Sequence, residues 1–232
     1  MNDGDLCAAQ RLRLRLIGDI VASLAHDFGQ PLNIIRLAAE NAADGIAAES
    51  QTYDTIGQQA ERLQDHMARL VHLARGSQDT ALVDPAGVVE AAVAGVRARY
   101  AAERVALEWR RPAGCPAIRG AKERLALVLE TVLDNACDAV LAARMSRPAG
   151  TVRVTCAAAE GAVVIRVSDD GPGLPATVTA ALLDPQATGP GPRPGIGLML
   201  AAGIVAEMGG KIHVDALMTG TIMTFIIPGA GP

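Results

Sequence analysis

The chain has 232 residues, half of them hydrophobic, a fifth charged and a formal net charge of −4; this composition belongs to a folded chain of one domain or two small ones and excludes a mainly disordered protein. No basic block is present, so a nucleic-acid partner is not expected. Cys7, Cys115, Cys137 and Cys156 lack metal-ligand spacing and the opening "MNDGDLCAAQ" lacks a basic-then-apolar pattern, so a reducing, cytoplasmic location is expected.

Leu14, Ile17, Val21, Leu24, Phe28, Pro31, Ile35 and Ala38 recur at alternating intervals of three and four, the seam of a helix packed in a bundle. A second series, Ile56, Ala60, Leu63, Met67, Leu70 and Ala74, follows a polar reversal containing Gly45, so residues from about 10 to 76 read as an antiparallel helical hairpin. Two helices enclose a core poorly; pairing two hairpins into a four-helix bundle closes it, and a homodimer is expected. On this wheel His26 takes the position furthest from the core, with Asp27 beside it and Gln30 one turn along the same face. Pro31 has no N–H to give the Asp27 carbonyl, which costs about 3 kcal/mol in an ideal helix interior, and Gly29 adds flexibility. A bend next to an exposed histidine is the expected result.

Residues 77–84 read as a linker between a domain at 1–76 and a second at 85–232. Asp84 is placed to cap a helix with Pro85 at its first position, and Val88, Val89, Ala92, Val93 and Val96 continue it. "RVALEW" alternates as a strand, and "AKERLALVLETVLDNACDAVLAAR" is a long helix. "GTVRVTCA" and "AVVIRVSDDG" are strands joined at Glu160-Gly161, and "GLMLAAGIVAEMGG" is a helix ending in glycines. "KIHVDAL" and "GTIMTFIIP" close the chain as a hairpin. The stretch 195–210 is the most apolar, yet it is too short to span a bilayer and carries Glu207, so no membrane segment is expected. The second half is thus an α+β domain with a mixed sheet.

Three short motifs follow one another in this half: Asn135 in "LDNACDA", "DDGPG" at 169–173 and "PGIGL" at 194–198. On a helix, Asn135 offers an amide oxygen as a neutral ligand to Mg²⁺ held mainly by phosphates. At a strand end, Asp169 can accept a hydrogen bond from an amino group such as the exocyclic amine of adenine, while Gly171 and Gly173 let the backbone turn beside a flat base. Gly195 and Gly197 start a helix and bring bare N–H groups to where a phosphate is stabilised. Each motif alone is commonly a turn, a cap or a solvated side chain; their fixed order on helix, strand end and helix start points to a nucleotide site.

With "HDFGQPL" as a phosphoacceptor box, "LDNACDA" as an N box, "DDGPG" as a G1 box and "PGIGL" as a G2 box, nearly the whole chain resembles the core of a sensor histidine kinase. The resemblance implies a dimerisation and histidine-phosphotransfer domain followed by a Bergerat-type α/β sandwich that binds ATP and Mg²⁺, with Asn135 on the metal. It implies that the γ-phosphoryl group passes from ATP to His26 and then to an aspartate of a response-regulator receiver domain. Asp27 would accept or orient the imidazole proton, and Gln30 would position a water for phosphatase action. No sensor domain is read in these residues, so the input is expected from a separate domain or protein.

The pattern departs from the family in two places. Thr131 stands one turn before Asn135 where the family commonly has a second asparagine. The segment between the G1 and G2 boxes, "LLDPQATGPGPRP", has no phenylalanine and Arg193 as its only cation. These departures leave an alternative, a weakly catalytic or non-catalytic phosphotransfer dimer with a degenerate ATP domain. A clamp-type ATPase and a structural coiled-coil adaptor are further rivals, separable by whether ATP binds and whether turnover survives loss of His26.

Overall fold

The computed structural model describes residues 28–29, 31–44, 52–57, 59–60, 63, 67, 81–103, 105–143, 150–183, 195–217 and 219–230. The chain divides into two compact units, Met1–Gly76 and Ser77–Pro232. In the first, the backbone is helical at 28–29, 31–43 and 52–57. Pro31 is buried, and Ile35 and Ala38 are half-buried. Among the described residues of this unit, the large apolar side chains Leu32, Leu37 and Met67 are more than half exposed within the single chain. His26, Asp27, Gln30 and Gly45 lie outside the described residues.

The second unit runs β1 (Ala81–Val83), α1 (Pro85–Arg99), β2 (Val105–Trp109), β3 (Ile118–Gly120), α2 (Lys122–Ala142), β4 (Gly150–Ala159), β5 (Ala162–Asp169), α3 (Ala176–Leu183), α4 (Ile196–Glu207), β6 (Lys211–Ala216) and β7 (Thr221–Pro228). The main sheet has the order β2-β4-β5-β7-β6; β2 and β4 run parallel and every other neighbour is antiparallel, which makes the sheet mixed. Alternation in the central strands sends Val152, Val154 and Cys156, then Val163, Ile165 and Val167, then Met223, Phe225 and Ile227 into the core. They meet a helical layer in which α2 packs against both α1 and α4, through Val89, Val93 and Val96, Leu125, Leu129 and Leu133, and Ile204 and Val205. The packed layers cover one side of α2 and so set which of its residues the remaining face presents.

Local signals account for most of these elements. Asp84 caps α1, its Oδ1 accepting the Ala86 N–H at 3.1 Å with Pro85 in the first turn. Arg111 ties the cap down by donating to Asp84 and Glu90 at 2.6 Å each. Glu160 and Gly161, at φ 47° and 78°, make the left-handed two-residue turn that suits the twist of the β4–β5 hairpin.

Three elements go beyond the sequence reading. β1 falls within 77–84 and pairs antiparallel with β3, an equally short strand, burying Val83. Three residues carry too little alternation to register as a strand. α3 forms in "ATVTAALL", where Thr177, Val178 and Thr179 weaken the local helical signal; it is held by burial of Val178 and Leu182, four residues apart on one face.

Candidate functional site

The face of α2 turned from the core carries Asn135, which is exposed between buried Asp134 and Ala136. Val132, Asn135, Ala136 and Ala139 form one wall of a cavity of about 50 Å³. Val167 and Asp169 of β5, Gly173 and Leu174 beyond it, Leu198 in the first turn of α4, and Thr221 and Met223 of β7 complete it. Residues that the sequence scatters over just more than ninety positions thus share one apolar cleft lined by an amide and a carboxylate, the composition typical of a small-molecule site.

The two adjacent aspartates take different tasks. Asp170 Oδ1 accepts the Thr151 N–H at 2.9 Å and so joins the end of β5 to β4. Asp169 lines the cavity; its Oδ1 accepts the Gly171 N–H at 2.9 Å, and it also accepts from the main chain and hydroxyl of Thr221. Burial pushes the Asp169 carboxyl above its ordinary value, only partly offset by the hydrogen bonds from Gly171 and Thr221. A half-buried carboxylate with spare lone pairs, set in an apolar wall, is a strong acceptor for an amino group.

Two glycines make the cleft sterically feasible. A Cβ on Gly171 would lie 2.9 Å from the Ala139 Cβ and 3.0 Å from its carbonyl carbon, so the turn after Asp169 can approach α2 only without a side chain. Gly173 has φ +81°, and a Cβ there would meet the Leu217 carbonyl oxygen at 2.8 Å. Gly195 is the N-cap of α4, extended and without any side-chain cap. The first turn of α4 therefore keeps main-chain N–H groups unclaimed by a cap, Gly197 within it, close to where Leu198 borders the cavity. Arg193 lies outside the described residues.

Thr131 is buried, only 2% exposed, and the cavity is lined instead by Val132, Asn135, Ala136 and Ala139. Sequence reasoning did not single out Thr221, whose only signal was its position at the start of a strand. It also passed over Arg99 and Tyr100, which reach α2 beside Asn135.

Comparison with known proteins supplies the family. The family described as histidine kinase-, DNA gyrase B-, and HSP90-like ATPase matches residues 120–231, and the His Kinase A (phospho-acceptor) domain matches residues 16–79. The C4-dicarboxylate transport sensor protein DctB of Rhizobium meliloti (strain 1021) is 30% identical over 224 residues, covering 91% of this chain and 34% of that protein. Among solved structures, the Acinetobacter baumannii histidine kinase AdeS superposes with a TM-score of 0.64 at 19% identity, covering 89% of this chain and 98% of that one. The histidine kinase ThkA in complex with response regulator protein TrrA gives 0.67 at 17% identity, covering 95% of this chain and 64% of that one. The chain spans roughly a quarter to a half of the length of the first curated relatives it matches, with 34%, 26% and 48% covered. Among the described residues, no helix is long and apolar enough to cross a membrane. With a phospho-acceptor domain followed by an ATP-using domain of this kind, the chain belongs to the sensor histidine kinases and forms their kinase core.

Proposed function

We propose that the protein binds ATP with Mg²⁺ in the cleft between α2, the end of β5 and the start of α4, autophosphorylates at His26, and passes the phosphoryl group to an aspartate of a response-regulator receiver domain. The observation that carries this reading is the convergence of Asn135, Asp169, Gly173 and the first turn of α4 on one cleft, in a chain whose residues 16–79 match a phospho-acceptor domain. Asp169 accepts the adenine amine, Gly171 and Gly173 lie beside the base, and Gly195 and Gly197 give main-chain N–H groups to the phosphates. Among the described residues no cluster of three His, Cys, Asp or Glu side chains stands ready to hold a metal. The exposed neutral amide of Asn135 instead suits a cation carried in by the phosphates, which supplies charge neutralisation between them.

In the transfer, a nitrogen of the His26 imidazole attacks the γ-phosphorus. The N–P bond forms as the bond to the β,γ-bridging oxygen breaks, ADP leaves, and Asp27 takes the ring proton. Gln30, four residues after His26 in the sequence, orients the water that hydrolyses the regulator's aspartyl phosphate. The exposed Leu32, Leu37 and Met67 support a homodimer in which a second hairpin covers them. Nothing observed favours the phosphotransfer-only alternative.

Incubation with γ-labelled ATP and Mg²⁺ tests the reading. The expected result is an acid-labile label on the protein, absent from His26→Ala and from Asn135→Ala, and transferable to a receiver domain. An acid-stable label, or one that survives His26→Ala, would overturn it.

A further inference from the structure

The end of α1 grips α2 on both sides of Asn135. Arg99, in the last turn of α1, places Nη2 2.9 Å from Asp134 Oδ1 and 3.1 Å from Oδ2, with Nε 3.3 Å from Oδ1. The next residue, Tyr100, donates its hydroxyl to Asp138 Oδ1 at 2.9 Å and lies 3.4 Å from the Asp134 carbonyl oxygen. Asp134 immediately precedes Asn135 and its side chain is only 12% exposed; Asp138 follows one helical turn later and is exposed. We propose that Arg99 and Tyr100 are positioning residues for the nucleotide, holding the two carboxylates that flank Asn135 so that its amide is left to the phosphate-bound cation. This rests on the ATP reading above.

Charge and geometry argue together. Glu130, Asp134 and Asp138 on α2, with Asp169 at the end of β5 and Asp170 just beyond it, put five carboxylates on the elements that form a site meant for a polyanion, and Asp169 lines it directly, so the local field opposes the ligand. A guanidinium in bidentate contact offsets one of these charges and fixes its orientation, as a single point charge would not. The Tyr100 hydroxyl holds the second carboxylate. Without it, Asp138 sits at the i+3 position from Asn135, where it can take the amide N–H of Asn135 or draw the cation away from the phosphates. Both braces come from an element that does not line the cavity, so their effect on the ligand passes through α2.

The test is calorimetric titration of the full chain with ATP and Mg²⁺, using Arg99→Gln, Arg99→Lys and Tyr100→Phe, each alone and combined with Asn135→Ala. Wild-type binding is expected to weaken about tenfold in Arg99→Gln, on the scale of one lost charge-assisted hydrogen bond, and by about threefold to tenfold in Tyr100→Phe, which removes a single oxygen atom. Arg99→Lys should recover part of the loss. In the Asn135→Ala background the Arg99 and Tyr100 penalties should shrink, since the group through which they act is gone. Penalties that are unchanged by Asn135→Ala reduce the braces to general stabilisers of the fold and overturn the proposal, as does wild-type affinity in Tyr100→Phe. Absence of binding by the wild type removes the ATP reading itself, and the braces with it.

Discussion

Asp169 and Thr221 stand directly opposite one another where β5 and β7 pair, and Thr221 donates both its main-chain N–H and its hydroxyl to the Asp169 carboxylate. The ladder therefore aims the carboxylate into the cleft, and a change at either residue should be read out by the ligand.

Asp169→Asn is expected to uncouple binding from stability. The amide oxygen still accepts from Gly171 and Thr221, but the neighbouring amino group now opposes the adenine amine. Affinity for ATP should fall about a hundredfold, near 3 kcal/mol. Burial already disfavours the charged carboxylate, so removing that charge should raise the melting temperature at pH 7. Calorimetry and a thermal melt on one preparation check both; lower stability with intact binding contradicts the assignment.

The same carboxyl sets a pH dependence. Its folded value lies above the ordinary 3.8 because burial outweighs the hydrogen bonds to Gly171 and Thr221. The protonated form is favoured by folding. Its stabilising contribution is complete below pH 3.8 and disappears as pH rises through the folded value. Binding runs the other way, since the acceptor must be ionised, and should fail as pH is lowered through that folded value. Thr221→Val removes one hydrogen bond that favours the ion and should shift the acid limb of ATP binding to higher pH. An unmoved limb would show that another group controls it.

Gly220 has φ +109° and packs against the main-chain carbonyl of Asp169. Gly220→Ala combines a strained backbone with a main-chain clash and should destabilise the second unit by about 3 kcal/mol or more. Urea denaturation measures this, and wild-type stability would show that the β7 start is not held this closely to Asp169.

Thiol reactivity reports on the core next to the cleft. Cys137 is fully buried on α2, and burial together with Asp134 and Asp138 pushes its thiol up to about 12. Cys156, 6% exposed, has its thiol raised by burial and by the Cys115 sulfur 3.1 Å away. Iodoacetamide at pH 8 should therefore modify Cys137 and Cys156 at least about a hundredfold more slowly in the folded protein than in urea. Mass spectrometry of the labelled peptides checks this, and rapid labelling of Cys137 without denaturant would mean that α2 opens readily.

What the chain's own residues determined is local. Asp84-Pro85 opens α1, the alternation of β4, β5 and β7 marks the buried face, Glu160-Gly161 makes the hairpin turn, and Asn135, Asp169 and Gly173 are singled out before they meet at one cleft, because each signal depends on neighbours a few residues away. Tertiary structure alone decided that β2 lies parallel beside β4, that β1 and β3 are strands, and that Asp170 turns instead to the Thr151 N–H. It also brought Thr221 to Asp169 and Arg99 to Asp134, partners 52 and 35 positions apart. Such pairings follow from strand register and helix packing, where burial of the whole core selects one arrangement, and no short window of sequence contains that sum.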